Sequence, residues 1–102
     1  MIDSARHYLP IPAIKRIIDS MAWIKLNVLH WHLVDDESFP IQVPSMPEMW
    51  KGAFSLQERY THGDIEEVVS YAKERGVHVV PEFDMPGHAN SWCKGSGSDV
   101  WE

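Results

Sequence analysis

Residues 25–36 read KLNVLHWHLVDD and contain the clearest structural signal in the sequence. Residues 26–34 are mostly apolar and rich in β-forming types, and the run ends abruptly in the acidic pair Asp35 and Asp36. Apolar residues occupy both faces, which is typical of a parallel strand covered on two sides. We therefore predict a buried strand over residues 26–34 with a polar carboxyl end.

Upstream of this strand, the spacing of apolar residues predicts a helix over about residues 12–24. Residues three, four and seven apart share one helical face, and such a set is present as Ile14, Ile17, Ile18 and Met21. Downstream, residues 39–60 hold three prolines and no clear period, which indicates a long loop.

A second helix and a third strand follow the loop. Thr61 and Asp64 have the spacing of a capping box, and Gly76 is suited to end the helix. Residues 77–83 then predict another strand, and residues 1–5 resemble the end of a first one. Strands alternating with helices indicate an α/β fold with a parallel sheet.

Polar residues follow each of the three predicted strands. Arg6 and His7 follow the first strand. Residues 30–36 include the polar end of the second strand, and residues 82–88 lie at the end of the third. In parallel α/β folds, chemistry gathers at the carboxyl ends of the strands. One such cluster is ordinary, but three at one edge predict a functional site.

Composition excludes several classes of partner. The chain has 102 residues, 44% of them apolar, and a net charge of −6, which indicates one globular domain or part of one. An acidic balance with scattered basic residues argues against nucleic-acid binding. No apolar run reaches the roughly 20 residues of a membrane span.

A metal site is an alternative interpretation of the same rim. His30 and His32 lie two apart on a strand and so point to one face. With Asp35, Asp84 and His88 they could bind a metal ion. Histidines on a strand are also often hydrogen-bonded core residues, so we predict no metal and keep metal binding as the rival hypothesis.

Three motifs together resemble glycoside hydrolase family 20, the β-N-acetylhexosaminidases, and especially lysosomal and vacuolar members. They read DSARH at residues 3–7, KLNVLHWHLVDD at 25–36 and PEFDMPGH at 81–88. The resemblance covers about residues 2–92. It implies a partial (β/α)8 TIM barrel, in which residues 1–102 are a fragment of the catalytic domain with strands one to three and two intervening helices.

The resemblance also implies roles for four residues. Arg6 would bind hydroxyls of the terminal N-acetylhexosamine, a task suited to a planar guanidinium with several donors. Asp35 and His88 would form a hydrogen-bonded relay that reaches the catalytic glutamate. Asp84 would be a further active-site carboxylate near that relay. The catalytic site would thus contain Asp35, His88 and Asp84, with Arg6 on the substrate.

Family members hydrolyse terminal N-acetylglucosamine or N-acetylgalactosamine with retention, using the substrate's own acetamido oxygen as nucleophile. The resemblance implies no cofactor, but it does imply an adjacent Asp-Glu pair on a later strand. Asp36 and Glu37 are adjacent in this chain, but they lie in a different motif. We therefore expect the isolated chain to be inactive.

Two further expectations concern the protein that carries this sequence. The resemblance implies a lysosomal, vacuolar or secreted parent protein that acts on glycans or glycoconjugates. The alternative is a truncated, non-enzymatic remnant or an assembly module. Three strands cannot close a barrel, so the exposed strand edges favour oligomerisation.

Overall fold

The computed structural model describes residues 1–96, and within them it forms one parallel sheet with helices between its strands. The sheet order is β1-β2-β3. The elements along the chain are β1 (Ile2–Asp3), α1 (Ile11–Trp23), β2 (Val28–Val34), a 3₁₀ helix (Pro47–Gly52), α2 (His62–Glu74), β3 (His78–Phe83) and α3 (Trp92–Ser96). The predicted α/β class and the two intervening helices are confirmed.

The register of the sheet decides which side chains meet. In β2, Leu29, Trp31 and Leu33 are buried in the core that the helices cover. His32 alternates with them and lies opposite Glu82 of β3. Since partners at the same level of a parallel sheet point to the same face, His32 and Glu82 share the face opposite the helices.

Helices α1 and α2 close one face of the sheet. Their buried residues are Ile14, Ile18 and Met21 in α1 and Val68 and Ala72 in α2. The spacing is that of an amphipathic stripe, so the helices are stabilised mainly by burying it. None of the helices within residues 1–96 is long and apolar enough to cross a membrane.

The predicted capping box at the start of α2 is present. The Asp64 backbone N–H donates to the Thr61 hydroxyl oxygen at 3.0 Å, and the Thr61 N–H donates to the Asp64 carboxylate at 2.9 Å. At the other end, Gly76 adopts a φ of 72°, a conformation that glycine reaches without a steric penalty.

The first strand is shorter than predicted, with two residues in place of five. The Asp3 carboxylate accepts hydrogen bonds from the backbone N–H groups of Ala5 and Arg6, each at 3.1 Å. This local turn competes with the sheet ladder, so the chain leaves the sheet directly after Asp3. The turn also brings Arg6 to the carboxyl end of the strand.

Two helical segments were not predicted. The 3₁₀ helix Pro47–Gly52 lies within the predicted loop, and α3 (Trp92–Ser96) follows the third polar cluster. Both segments are only one or two turns long, which is too short to show an apolar period.

Candidate active site

A polar cleft opens where the carboxyl ends of the three strands meet. Its volume is about 250 Å³, and all four residues proposed from the sequence for the site line it, namely Arg6, Asp35, Asp84 and His88. Met1, Asp3, His30, His32 and Glu82 complete the lining. The three polar clusters that follow the strands in sequence are therefore brought together.

Asp35 is the buried carboxylate at the centre of this cleft, and only 1% of it is exposed. Its Oδ2 atom lies 2.6 Å from His32 Nε2 and 2.8 Å from Arg6 Nη2. Its Oδ1 atom accepts the Asp36 backbone N–H at 2.7 Å and lies 3.2 Å from His88 Nδ1.

These partners keep Asp35 ionised. Burial alone would raise the pKa of its carboxyl group, because a charge is poorly solvated there. The Asp36 N–H, the two histidines and the Arg6 charge oppose burial and lower the pKa to about 2. Asp35 is therefore an anion over the whole neutral and mildly acidic range.

The backbone places His88 beside Asp35 at a steric cost. His88 has a φ of 59°, a left-handed conformation that costs a non-glycine residue roughly 1–3 kcal/mol. The loop that holds it is tied to the end of β2, because Ser91 Oγ donates to the Asp35 carbonyl at 2.5 Å. The Asn90 N–H also donates to the Asp36 carboxylate at 3.1 Å.

Arg6 lies between three carboxylates and remains open to solvent. Besides Asp35, it contacts Asp3 Oδ2 at 2.9 Å through Nη1 and Glu37 Oε2 at 3.8 Å through Nε. Asp35 is the main cause of the raised pKa of Arg6. Its side chain is 44% exposed, so N–H groups of the guanidinium that the carboxylates do not occupy are open to solvent beside the cleft.

A second group of ionisable residues lies beside the first on the face of the sheet opposite the helices. Glu82 contacts His30 Nε2, and its Oε1 atom lies 3.1 Å from His32 Nδ1. A hydrogen bond with Asp84 is the main cause that lowers the pKa of Glu82 to about 2, and the same bond raises the pKa of Asp84. Asp84 is therefore the member of this pair that retains a proton more readily.

Sequence reasoning gave Glu82 no role beyond its place in the polar cluster of residues 82–88, and considered His32 as a metal ligand or a hydrogen-bonded core residue. Glu82 lies two residues before Asp84, so strand alternation alone indicates that the two share a face. The contact with His32 was not readable, because it depends on the register that sets His32 opposite Glu82.

Two groups of side chains have the spacing that a metal ion would need. They are His32 with Glu82 and Asp84, and Asp35 with Asp36 and His88. Several of these atoms are hydrogen-bonded to one another, and nitrogen–carboxylate pairs of this kind also stabilise a site without an ion. The expectation of no metal ion therefore stays a prediction to be tested.

The fold and the cleft together define a segment of a (β/α) barrel with its site at the carboxyl ends of the strands. The family model described as glycosyl hydrolase family 20, catalytic domain, matches residues 1–100. The chain belongs to this family, as its motifs predicted.

Curated relatives agree with this assignment. The chain is 59% identical over 95 residues to beta-hexosaminidase 3 of Arabidopsis thaliana, a match that covers 93% of the chain and 18% of the relative. It is 53% identical over 96 residues to the human beta-hexosaminidase subunit beta, covering 93% of the chain and 17% of the relative. The chain thus spans less than a fifth of the length of these relatives.

Solved structures of the family share the fold. A chitobiase from Flavobacterium johnsoniae superposes with a TM-score of 0.87 at 40% identity, and the match covers 95% of this chain and 15% of that one. An exo beta-N-acetylglucosaminidase from Vibrio harveyi, solved with N-acetylglucosamine, superposes with a TM-score of 0.80 at 30% identity. That match covers 93% of this chain and 18% of the other. The predicted partial TIM barrel is confirmed.

Proposed function

We propose that this chain supplies the first three strands of the catalytic barrel of a β-N-acetylhexosaminidase, and that residues 1–102 are part of that catalytic domain. The substrate would be a glycan or glycoconjugate ending in N-acetylglucosamine or N-acetylgalactosamine. The observation that carries the proposal is the buried Asp35 anion, held between Arg6 and His88 in an open cleft. The names of the relatives support the same substrate class.

Arg6 is the substrate-binding residue of this proposal. Its contacts with Asp3 and Asp35 orient the guanidinium, and its remaining N–H groups could donate to sugar hydroxyl groups. A neutral sugar suits this position, because the neighbouring carboxylates already balance the charge of Arg6.

Asp35 and His88 form the proton relay. Asp35 Oδ1 accepts from His88 Nδ1, which fixes the orientation of the ring and the nitrogen that carries the proton. The Nε2 atom has no hydrogen-bond partner among the described residues, so it is available to a further group. We assign that group to the glutamate of the family's adjacent Asp-Glu pair, which acts as the general acid. Asp84 lies on the same face near the relay, and its hydrogen bond with Glu82 raises its pKa.

The reaction proposed is substrate-assisted hydrolysis with retention. The acetamido oxygen of the sugar forms a bond to the anomeric carbon while the bond to the leaving oxygen breaks and the glutamate donates its proton to that oxygen. Water then attacks the anomeric carbon, the bond between that carbon and the acetamido oxygen breaks, and the water gives a proton to the glutamate. The chain's own residues would bind the sugar through Arg6 and orient the glutamate through His88. No cofactor enters this scheme.

A lysosomal, vacuolar or secreted location is part of the same proposal and rests on the family resemblance. The competing proposal is a non-enzymatic module that assembles through its strand edges. Activity of the complete translation product of the gene, called the gene product below, separates the two.

The test is Asp35→Asn in the gene product, assayed on an aryl N-acetyl-β-glucosaminide. We expect kcat/KM to fall by about 10²- to 10⁴-fold, the usual worth of general acid–base help, because a neutral amide at this position cannot replace the anion that anchors the relay. The matched control is Glu66→Gln, which removes one carboxylate from the exposed surface of α2 and should leave kcat/KM unchanged. A folded Asp35→Asn variant with wild-type kinetics would refute the proposed role.

A further inference from the structure

His32 lies between two carboxylates on neighbouring segments of the site. Its Nε2 atom is 2.6 Å from Asp35 Oδ2, and its Nδ1 atom is 3.1 Å from Glu82 Oε1. The residue is only 6% exposed, so its ring is largely shielded from solvent. The ring therefore bridges the end of β2 and the face of β3.

This geometry favours a proton on both ring nitrogens. A neutral imidazole has a proton on one ring nitrogen and a lone pair on the other. A carboxylate oxygen faces each nitrogen of His32, so in either tautomer the lone pair would point at a carboxylate oxygen. An imidazolium donates two charge-assisted hydrogen bonds instead. Asp35 and Glu82 are both anions, because each has a pKa lowered to about 2.

The charges around the ring favour the same state. Burial alone would lower the pKa of His32, but the hydrogen bonds to Asp35 and Glu82, together with nearby negative charges, raise it. Asp3 on β1 adds a further negative charge that acts on the ring. The other ionisable side chains that line the same cleft are Arg6, His30, Asp84 and His88.

We propose that His32 is a positioning residue that, as a doubly donating imidazolium, holds the Asp35 carboxylate in the orientation that His88 needs. His32 and Arg6 both occupy Oδ2, which leaves Oδ1 for the Asp36 N–H and His88. His32 also joins the Asp35 group to the pair formed by Glu82 and Asp84. The effect of His32 on catalysis rests on the proposed function. The protonation of His32 and its hydrogen bonds to Asp35 and Glu82 do not depend on activity.

The direct test is nitrogen NMR of the gene product labelled in its histidines. We expect the His32 ring to show both nitrogens protonated at pH 7, above its ordinary pKa of 6.5, and to release a proton only at higher pH. The signal is assigned by its loss in His32→Gln. A wild-type His32 with a single protonated nitrogen at pH 7 would overturn the inference, and this measurement requires no activity.

The kinetic test is the pH profile of His32→Gln. We expect kcat to fall about 10- to 100-fold, the effect of losing one charge-assisted hydrogen bond, with a much smaller change in KM. The acidic limb of the kcat/KM profile should move to higher pH, because Asp35 without the imidazolium accepts a proton more readily. A purely structural role for His32 would lower the active fraction without moving the profile.

The control is His62→Gln, at an exposed histidine whose ring contacts Glu66 on the surface of α2. It should match the wild type in kcat, KM and pH profile. An unmoved acidic limb in folded His32→Gln would overturn the inference. If the wild-type gene product shows no hexosaminidase activity, the proposed function fails, and the NMR result alone decides whether His32 bridges the two carboxylates.

Discussion

At the scale of single residues, Asp35 links stability to pH. Its carboxyl pKa is 3.8 when unperturbed and about 2 in the fold, so the folded state binds a proton less readily than the unfolded chain. The stabilisation is therefore complete above about pH 4 and is lost as the pH falls through about 2. Glu82, whose pKa is also about 2, contributes in the same direction, and Asp84, whose pKa the same hydrogen bond raises, opposes it.

We therefore expect the free energy of unfolding of the gene product to fall as the pH is lowered from about 5 to 2. Asp35→Asn should be less stable at pH 7, because Arg6 and His32 lose a buried partner, and should show a weaker pH dependence. Urea unfolding across this range measures both effects, with Glu66→Gln as the surface control. If Asp35→Asn and the wild type showed the same pH dependence of stability, the lowered pKa of Asp35 would be contradicted.

Arg6 offers a second prediction at this scale. Lysine keeps the charge but loses the planar fork that contacts Asp3 and Asp35 together. Arg6→Lys in the gene product should lower kcat/KM by about tenfold or more, as loss of a hydrogen bond to a charged group does. Arg59→Lys is the control, because that guanidinium stacks on Trp50 away from the cleft lining. Equal losses in both variants would mean that Arg6 has only a structural role.

The metal hypothesis is also decided by single side chains. We expect a chelator to leave both the thermal unfolding and the activity of the gene product unchanged, because the site residues bind one another directly. Elemental analysis of the purified protein provides the companion measurement. Stoichiometric zinc whose removal unfolds the protein would favour the metal-binding hypothesis.

Sequence reasoning found four of the residues that line the cleft and missed the ones that join them. Arg6, Asp35, Asp84 and His88 stand in motifs or near strand ends, so the resemblance of these motifs to the family identified them. The role of His32 was not readable, because it depends on partners from two segments. Those contacts follow from sheet register, which is a property of packing rather than of any one strand.

At the scale of secondary structure, α2 begins at a locally encoded signal. Thr61→Ala removes the hydroxyl that accepts the Asp64 N–H and should cost about 0.5–2 kcal/mol of stability in the gene product. Ser70→Ala, at an exposed position of the same helix, is the control and should cost almost nothing. Urea unfolding compares the two, and equal stabilities would show that the box does not stabilise the helix.

The kind of signal that sets each boundary explains which secondary-structure elements were predictable from the sequence. The capping box and the apolar stripe fixed α2 to within two residues of its observed end, because both signals lie inside the helix. The end of β1 was not predicted, since it depends on the Asp3 carboxylate accepting two backbone N–H groups in place of the sheet. Local side-chain competition of this kind gives no periodic signal.

At the scale of the whole molecule, the described chain exposes apolar surface along its sheet. Strand β3 is an edge of the sheet, and Val28 and Val80 on the face away from the helices are 52% and 48% exposed. Exposed strands of this type pair with other chains. We expect the 102-residue chain alone to self-associate and to bind a hydrophobic dye.

Analytical ultracentrifugation tests this expectation with a matched pair of variants. Val80→Lys places a charge on the exposed edge strand and should reduce association. Val69→Lys places the same charge on α2, where the residue is 43% exposed, and should have little effect. A monodisperse wild-type monomer with one sharp thermal transition would contradict the prediction and favour a self-sufficient domain.

The most direct test of the central claim exchanges this chain for the matching segment of the Arabidopsis thaliana beta-hexosaminidase 3, to which it is 59% identical. Hydrolysis of para-nitrophenyl N-acetyl-β-glucosaminide is then measured. If the chain forms the first strands of a hexosaminidase barrel, kcat/KM should stay within about tenfold of the host, or about 1.4 kcal/mol in the barrier. It should collapse when Asp35→Asn is added. A folded exchange protein without activity, or one indifferent to Asp35→Asn, would contradict the claim.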